Sequence, residues 1–249
     1  MSLIRRLFQR EPEPDTIPVI HEGVAYAVAL RRSAQARRFT LRVRTTTGDV
    51  VLTLPARSRL SDAKSFAERH GAWIATRMAK VPDRIEFGPG RTIPLRGVPH
   101  IIVHRTDRRG TVWIEAGADG PELHVAGDAD FVSRRILDYL KREAKRDLDE
   151  ATHRHAAKLG AGVTRVSIRD QASRWGSCSS TGAINYSWRL ILAPPHVLDY
   201  LAAHEVAHLR EMNHSQRFWR IVGDLFPEQE LAKAWLKRHG SELHRYGPA

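Results

Sequence analysis

One stretch near the C-terminus, Tyr200–His214, constrains this chain more than any other. It contains the pattern His-Glu-x-x-His, in which His204 and His208 are four positions apart and Glu205 follows the first. A helix turns about 100° per residue, so the two imidazoles would lie about 40° apart on one face and could bind one metal ion. Glu205 could contact a water on that metal without being a ligand. This arrangement is typical of a zinc hydrolase with a glutamate as general base.

The flanks of this pattern favour a metal site over a surface helix with two spare histidines. Val197, Leu201, Val206 and Leu209 are apolar, which predicts a buried helix. A buried histidine needs a polar partner, and a metal ion is one.

The third metal ligand is predicted to be His214. Ser215 reads as the N-cap of a following helix, Gln216–Val222, so His214 would lie in the turn between two helices. A metzincin would have a glycine where this chain has Glu211. A gluzincin would recruit a glutamate from a later helix, and Glu228 or Glu230 is the alternative ligand.

Several segments together resemble the YgjP-like metallopeptidase family, which is related to the SprT-like and WLM zinc peptidases. These segments are Ser173-Arg-Trp-Gly-Ser-Cys-Ser179, Ile184-Asn-Tyr-Ser-Trp-Arg-Leu-Ile-Leu-Ala-Pro-Pro195, His204-Glu-Val-Ala-His208 and Asn213-His-Ser-Gln-Arg-Phe-Trp219. The resemblance is continuous over about residues 160–225 and looser over Arg31–Trp73, where the pattern Arg-Arg-x-Ala-x-Ala-Arg-Arg occurs. It implies a zincin fold, one Zn²⁺ held by His204, His208 and His214, and Glu205 as catalytic base. Some members are described as nucleotide pyrophosphatases.

Composition limits the remaining possibilities. The chain has 249 residues, a net charge of +12 and one cysteine, Cys178, which excludes an internal disulfide. No apolar run is long enough to span a bilayer and no signal peptide is visible, so a cytoplasmic location is expected. The positive charge would attract nucleic acid, nucleotide phosphate or an anionic surface. Met1–Arg10 could form a short amphipathic helix, although a frayed tail is the more usual reading.

The predicted fold class is α+β: a zincin-like metallopeptidase domain with an N-terminal β-rich lobe. The division is a flexible tail at 1–19, a β-rich lobe with one helix at 20–127, and a metal-binding catalytic domain at 128–249. A proline-containing tether is expected at 11–18. The lobe is predicted to contain the following elements: strands Val24–Leu30, Arg38–Arg44 and Val50–Leu54 with a turn at Thr47–Asp49, a helix from its cap at Ser61 to Met78, and strands His100–Arg105, Thr111–Glu115 and Glu122–Val125.

A long helix is predicted from an N-cap at Asp130 to Leu159, where Gly160 would end it. Its apolar stripe comprises Val132, Ile136, Leu140, Ala144, Leu148 and Ala151. His153 and His155 near its end are weak alternative ligands, because side chains two apart on a helix diverge by about 200°. A last amphipathic helix is expected over Glu228–His239.

A polar loop, Asp170–Gly182, is predicted between the strands Val163–Arg169 and Ala183–Leu192. Arg174 offers a cation and Trp175 a stacking plane, so this loop is interpreted as a substrate-binding rim, next to a segment that could pair with an extended peptide. Arg189 is a further candidate for substrate binding. Tyr246, Arg189 and Arg174 are candidates to stabilise an oxyanion.

Three functional hypotheses follow. The first is a zinc metallopeptidase acting on a peptide or protein substrate. The alternative is a pyrophosphatase acting on a nucleoside triphosphate of the UTP type, with Arg174 and Arg189 holding phosphate. The second alternative is a nucleic-acid-associated protease, as the SprT-like relationship suggests.

Overall fold

The computed structural model describes residues 14–44, 48–81, 83–171 and 173–248. The chain divides into two compact units, one before Asp83 and one from Asp83 onward. The predicted amphipathic segment Met1–Arg10 lies outside the described residues, as does Thr47, the first residue of the predicted turn at Thr47–Asp49.

The N-terminal unit is one sheet with two helices against it. Its elements are β1 Thr16–His21, β2 Val24–Ser33, β3 Thr40–Val43, β4 Val50–Pro55, α1 Leu60–Arg69 and α2 Gly71–Met78. The strand order is β1-β2-β4-β3, with β2 and β4 parallel and the other pairs antiparallel. Alternation along β4 puts Val50, Leu52 and Leu54 in a core that also holds Ala63, Ala67 and Ile74 of the helices. The period-two pattern therefore predicted β3 and β4 correctly.

Two predictions for this unit were wrong. The tether and tail were expected to continue to residues 18 and 19, but β1 begins at Thr16 because Ile17 and Val19 alternate into the core. The single helix expected from a cap at Ser61 begins at Leu60 and is broken at His70, whose φ and ψ are −102° and 14°. Gly71 follows the break, and a Cβ there would be 3.3 Å from Cβ of His21.

The C-terminal unit contains three sheets and four helices among its described residues. Its elements are β5 Ile85–Glu86, β6 Thr92–Leu95, β7 Val98–Arg105, β8 Val112–Gly117, β9 Gly120–Ala126, α3 Val132–Leu159, β10 Arg165–Arg169, β11 Gly176–Cys178, β12 Ala183–Ser187, α4 Pro195–Ala207, α5 Gln216–Leu225, α6 Gln229–Leu243 and β13 Tyr246–Gly247. The sheets have the orders β6-β7-β9-β8, β10-β12-β11 and β13-β5.

Helix α3 is the centre of this unit's core. Ile136, Leu140, Ala144 and Leu148 are fully buried, as their spacing predicted. The helix ends at Gly160, whose φ of 62° is left-handed and suits glycine. Asp128 rather than Asp130 provides the capping side chain, and it caps a short 3-10 turn, Ala129–Phe131, before α3.

The predicted boundary at 127/128 does not coincide with the division between the compact units. Ile93, Ile102 and Leu123 of the β6–β9 sheet share one hydrophobic cluster with Ile136 and Leu140 of α3. Strands β6–β9 and helix α3 therefore form one core, and the three-part domain division stays a prediction.

The strand predicted over Ala183–Leu192 was too long. β12 ends at Ser187, and a 3-10 helix, Trp188–Leu192, follows, in which Ser187 Oγ accepts a hydrogen bond from the Arg189 amide. All five residues of this turn are buried, so their apolar run reflects burial on every side rather than strand pairing.

The turn between β6 and β7 forms backbone hydrogen bonds with the segment that precedes α4. Arg96 and Gly97 have φ of 52° and 78°, and their amides donate to the carbonyls of Ile191 and Leu192 at 2.7 and 3.1 Å. The Arg96 guanidinium donates to Asp147 and Glu143 on α3 at 2.7–2.9 Å. This turn therefore fixes the start of α4 relative to α3.

Candidate metal centre

Helix α4 is buried around most of its circumference. Pro195 occupies its first turn, where the missing amide hydrogen costs nothing, and Val197, Ala202 and Val206 are fully buried. The helix ends at Ala207, so His208 is the C-cap residue, with φ and ψ of −63° and −18°. His204 and His208 are therefore presented from the last turn of a helix that the core holds rigidly.

The three predicted histidines converge. Ring nitrogens of His204, His208 and His214 all lie within 4.8 Å of one another, and Nε2 of His204 is 3.2 Å from Nε2 of His214. Within the described ranges, this is the one group of three or more histidine, cysteine or carboxylate side chains close enough to hold a metal ion.

A capped turn brings His214 back toward α4. Asn213 Oδ1 accepts a hydrogen bond from the Ser215 amide at 3.0 Å, and Ser215 Oγ accepts one from the Phe218 amide at 3.3 Å. Ser215 is the N-cap of α5, as its position before the helix pattern predicted.

Two aromatic residues of α5 support the histidines, and the sequence reasoning did not assign them this part. The ring centroid of Phe218 is 4.9, 4.5 and 4.7 Å from those of His204, His208 and His214, and Phe218 is fully buried. Trp219 stacks on His214 at 5.7 Å. The sequence signal for this role was their position, three and four residues after the N-cap Ser215. Side chains in the first turn of α5 face the preceding turn, which contains His214.

The histidine rings are suited to metal ligation. Nδ1 of His208 lies 3.0 Å from the Glu211 carbonyl, which requires a proton on that nitrogen and leaves Nε2 with a free lone pair. Burial, with the neighbouring His208 and His214, lowers the pKa of His204 to about 3, so its ring is neutral at ordinary pH. Neutral imidazoles with convergent lone pairs fit a zinc-type ion.

Glu205 points from α4 toward the same cavity and is 4% exposed. Its Oε2 atom is buried and has no hydrogen-bond partner among the described residues. Burial raises the pKa of this carboxyl to about 8, and Arg174 opposes the shift. A carboxyl group with an unused buried oxygen and an elevated pKa is suited to take up a proton.

A cavity of about 520 Å³ connects these groups with the polar loop. Arg174 and Trp175 both line it, as do residues of β11 and the three histidines with Glu205. Trp175 is held by His244, with ring centroids 4.9 Å apart, and by Gly240, where a Cβ would be 3.3 Å from the indole.

The structure does not bring Arg189 or Tyr246 to this cavity. Arg189 is 7% exposed, and its guanidinium donates to Asp170 at 3.1 Å and to the carbonyls of Leu243 and Tyr246. Tyr246 lies in β13, paired with β5. The assignment of Arg189 to substrate binding and of Tyr246 to an oxyanion is therefore corrected: both residues hold the C-terminal end of the chain in place.

The other candidate ligands have different partners. Nε2 of His155 is 2.6 Å from Asp199, and Glu230 pairs with Lys233 at 2.7 Å. His153 and Glu228 are not part of the histidine cluster. Cys178 lines the cavity, where burial raises the pKa of its thiol to about 11. It is not part of the group of side chains that lie close enough together to hold a metal ion.

A mixed helix-and-sheet chain with this centre falls in the class of metallohydrolases. More particularly, the chain belongs to the YgjP-like metallopeptidase domain family, whose model matches residues 37–239. That family implies a metal cofactor.

The crystal structure of the metallopeptidase zymogen of Pyrococcus abyssi abylysin is 27% identical and covers 40% of this chain and 98% of that one, with a TM-score of 0.35, which is too low to bear on the fold. None of the curated proteins matches the chain. In the part of the chain that the structure describes, no helix is both long and apolar enough to cross a membrane.

Proposed function

We propose that this protein is a zinc-dependent peptidase in which His204, His208 and His214 hold the metal and Glu205 is the general base. The observation that supports this most strongly is the convergence of three ring nitrogens within 4.8 Å beside a buried, unpartnered carboxyl oxygen. Zn²⁺ in such a site supplies a Lewis acid that lowers the pKa of a water molecule to about 7.

Each nearby side chain then has a definite task. Glu205 accepts a proton from the attacking water and later delivers it to the leaving amine. The Glu211 carbonyl fixes the His208 tautomer, and the aromatic rings of α5 keep the imidazoles in place. Of the three candidates for oxyanion stabilisation, Arg174 alone lines the cavity, so we assign that role to it.

The substrate is proposed to be an extended peptide lying along β11. This strand is at the edge of the β10-β12-β11 sheet, and Gly176, Ser177 and Cys178 all line the cavity. A peptide could add to this edge through backbone hydrogen bonds. Trp175 and Tyr200 form an apolar part of the wall that suits an apolar side chain of the substrate.

The geometry favours a peptide over a nucleoside triphosphate. The pyrophosphatase hypothesis needs cations for several phosphate oxygens, and Arg189 is already bound to Asp170 and two carbonyls. Of Arg174 and Arg189, the two arginines of that hypothesis, Arg174 alone remains to bind phosphate.

The proposal is tested by metal analysis of the purified protein and by activity assays with a casein-like protein and with nucleoside triphosphates. Glu205→Gln should keep stoichiometric zinc and lose peptidase activity, whereas His204→Ala should lose both. Full peptidase activity in Glu205→Gln would contradict the assigned base. Release of pyrophosphate without protein cleavage would replace the peptidase by the pyrophosphatase. The cytoplasmic location stays a prediction.

A further inference from the structure

The arginines of the N-terminal unit are not used by the proposed active site. The pattern Arg-Arg-x-Ala-x-Ala-Arg-Arg spans the end of β2 and the loop that follows it, and two more arginines follow β4. Of these, Arg32 has an internal role, because its guanidinium donates to the carbonyls of Pro55 and Ala56 at 3.1 and 3.0 Å. Arg31, Arg37, Arg38, Arg57 and Arg59 have no comparable hydrogen bond to the carbonyls of the described residues.

Strand topology gathers these arginines at one end of the sheet. β2 and β4 are parallel, with Ser33 opposite Pro55, and β3 starts beside them with Thr40 opposite Thr53. The loops at 34–39 and 56–59 therefore leave the same end of the sheet, and the Arg32 hydrogen bonds tie that end together.

Two more arginines extend this basic surface onto the uncovered face of the sheet. Val28 and Leu30 of β2, and Leu41 and Val43 of β3, pack toward the helices. Because side chains alternate along a strand, Arg31 and Arg42 point to the opposite face. We call the set Arg31, Arg37, Arg38, Arg42, Arg57 and Arg59 the arginine end, and all six are exposed.

In the described part of the chain, no carboxylate forms an ion pair with the arginine end. The sequence has no Asp or Glu between Glu22 and Asp49, and none between Asp49 and Asp62. Among the described residues, the ion pairs within 4.0 Å include none of the six arginines. A dense, unpaired set of guanidinium groups creates a positive potential that needs a polyanionic partner.

We propose that the arginine end binds the phosphodiester backbone of a duplex nucleic acid without reading its sequence. A duplex repeats one charge per about 1.7 Å of its axis, and guanidinium groups match phosphate oxygens in a bidentate manner. We expect binding independent of sequence, because Phe39, the aromatic residue of the loop at 34–39, packs against Phe66 in the core and not beside the exposed arginines.

The absence of exposed apolar side chains beside the described arginines favours a nucleic acid over an anionic membrane. Stable attachment to a bilayer needs apolar side chains next to the cations. None of the described large hydrophobic residues that are exposed lies at 34–39 or 56–59, and Ile20 and Val24 are at the opposite end of the sheet, in the β1–β2 hairpin.

The test uses the full-length protein and measures anisotropy of labelled duplexes of DNA and of RNA with one sequence, and of a scrambled duplex, from 50 to 200 mM salt. The wild type should bind duplexes of either sequence equally, and the comparison of DNA with RNA shows which backbone is preferred. The variant Arg37→Gln/Arg38→Gln/Arg57→Gln/Arg59→Gln should bind at least about tenfold more weakly at 50 mM salt. Its slope of log K against log salt should be shallower by about 3 to 4, since each phosphate contact contributes about 0.9.

Two matched variants separate this site from overall charge. Lys158→Gln/Arg165→Gln/Lys237→Gln/Arg238→Gln removes the same charge from exposed positions of the other unit and should bind within about threefold of the wild type. Substituting lysine for the four arginines of the arginine end, Arg37, Arg38, Arg57 and Arg59, should keep the slope of log K against log salt. Equal loss in both glutamine variants, absence of duplex binding at 50 mM salt, or preferential binding to phosphatidylserine vesicles would each overturn the proposal.

Discussion

Gly176 lies so close to the carboxyl group of Glu205 that any side chain at position 176 would require that group to move. A Cβ at position 176 would be 2.7 Å from Cδ of Glu205, well inside van der Waals contact. At position 176 of the edge strand β11, the Glu205 carboxyl group occupies the space that a side chain would need.

Gly176→Ala should displace the Glu205 carboxyl group and lower kcat by about 100-fold or more, since a shift of about 1 Å in a catalytic group can cost that much. Zinc content should be unchanged, because the three atoms nearest to such a Cβ all belong to Glu205. The control is Gly88→Ala, where a Cβ would meet nothing within 4 Å, and this variant should keep full activity. Normal kcat in Gly176→Ala would mean that Glu205 is not held against β11.

Removal of the third ligand should release the metal. His214→Ala is expected to weaken zinc binding by more than about 100-fold, because the proposed site would lose one of its three protein ligands. Glu230→Ala should leave zinc affinity unchanged, because Glu230 pairs with Lys233. Competition with a chelator of known affinity measures both. The reverse result would establish the gluzincin arrangement instead.

The aromatic support of the histidines can be tested by a small change in shape. Phe218→Leu should weaken zinc binding by about tenfold, because it removes the ring that contacts all three imidazoles while keeping the site apolar. It should also lower the free energy of unfolding by about 1 kcal/mol. Phe131→Leu, at a position that is 49% exposed, should change neither quantity. Equal zinc affinity in the two variants would show that Phe218 is only a packing residue.

Arg96, in the turn between β6 and β7, should contribute to the free energy of unfolding. Arg96→Gln removes the closest cation from Asp147 and leaves Glu143 with Arg146 alone, at side chains that are 22% and 14% exposed. It should cost about 1–2 kcal/mol in the free energy of unfolding. Arg134→Gln, which breaks a 3.8 Å pair at a 77% exposed arginine, should cost less than about 0.5 kcal/mol. Urea denaturation of both variants gives the comparison. Equal costs would show that the Arg96 contacts are no stronger than a surface ion pair.

Stability should depend on pH through His244. Burial and the nearby Arg189 lower the pKa of His244 to about 4, while Asp170 opposes the shift. The unfolded chain takes up a proton near pH 6.5 and the folded one only near pH 4. The contribution of His244 is therefore complete above about pH 6.5 and is lost as the pH falls toward 4.

His244→Phe keeps a ring against Trp175. Between pH 7 and pH 4.5 its free energy of unfolding should fall by about 1 kcal/mol less than that of the wild type, after allowance for solvent screening. Denaturant melts of the two proteins at several pH values, both free of metal, measure this difference. Parallel pH profiles would show that His244 titrates normally in the folded protein.

Local signals in the sequence were enough for much of the fold and of the candidate site. The buried stripe of α3, its end at Gly160 and the cap at Ser215 follow from helical spacing and backbone geometry, which depend on a few neighbouring residues. Two of the partners of Arg189, the carbonyls of Leu243 and Tyr246, are more than 50 positions away, and no local pattern indicates them. The same holds for the 3-10 turn Trp188–Leu192, whose form is set by burial on all sides.

The length of β11 has a consequence for the behaviour of the protein in a crowded cell. An unpaired sheet edge that accepts a substrate backbone could also accept a neighbouring copy of the same chain. With three residues, β11 offers too few hydrogen bonds for lasting self-association, while a substrate gains further contacts with the cavity wall. If substrate binds along β11 as proposed, the shortness of this strand would leave the edge open to peptides without seeding aggregates.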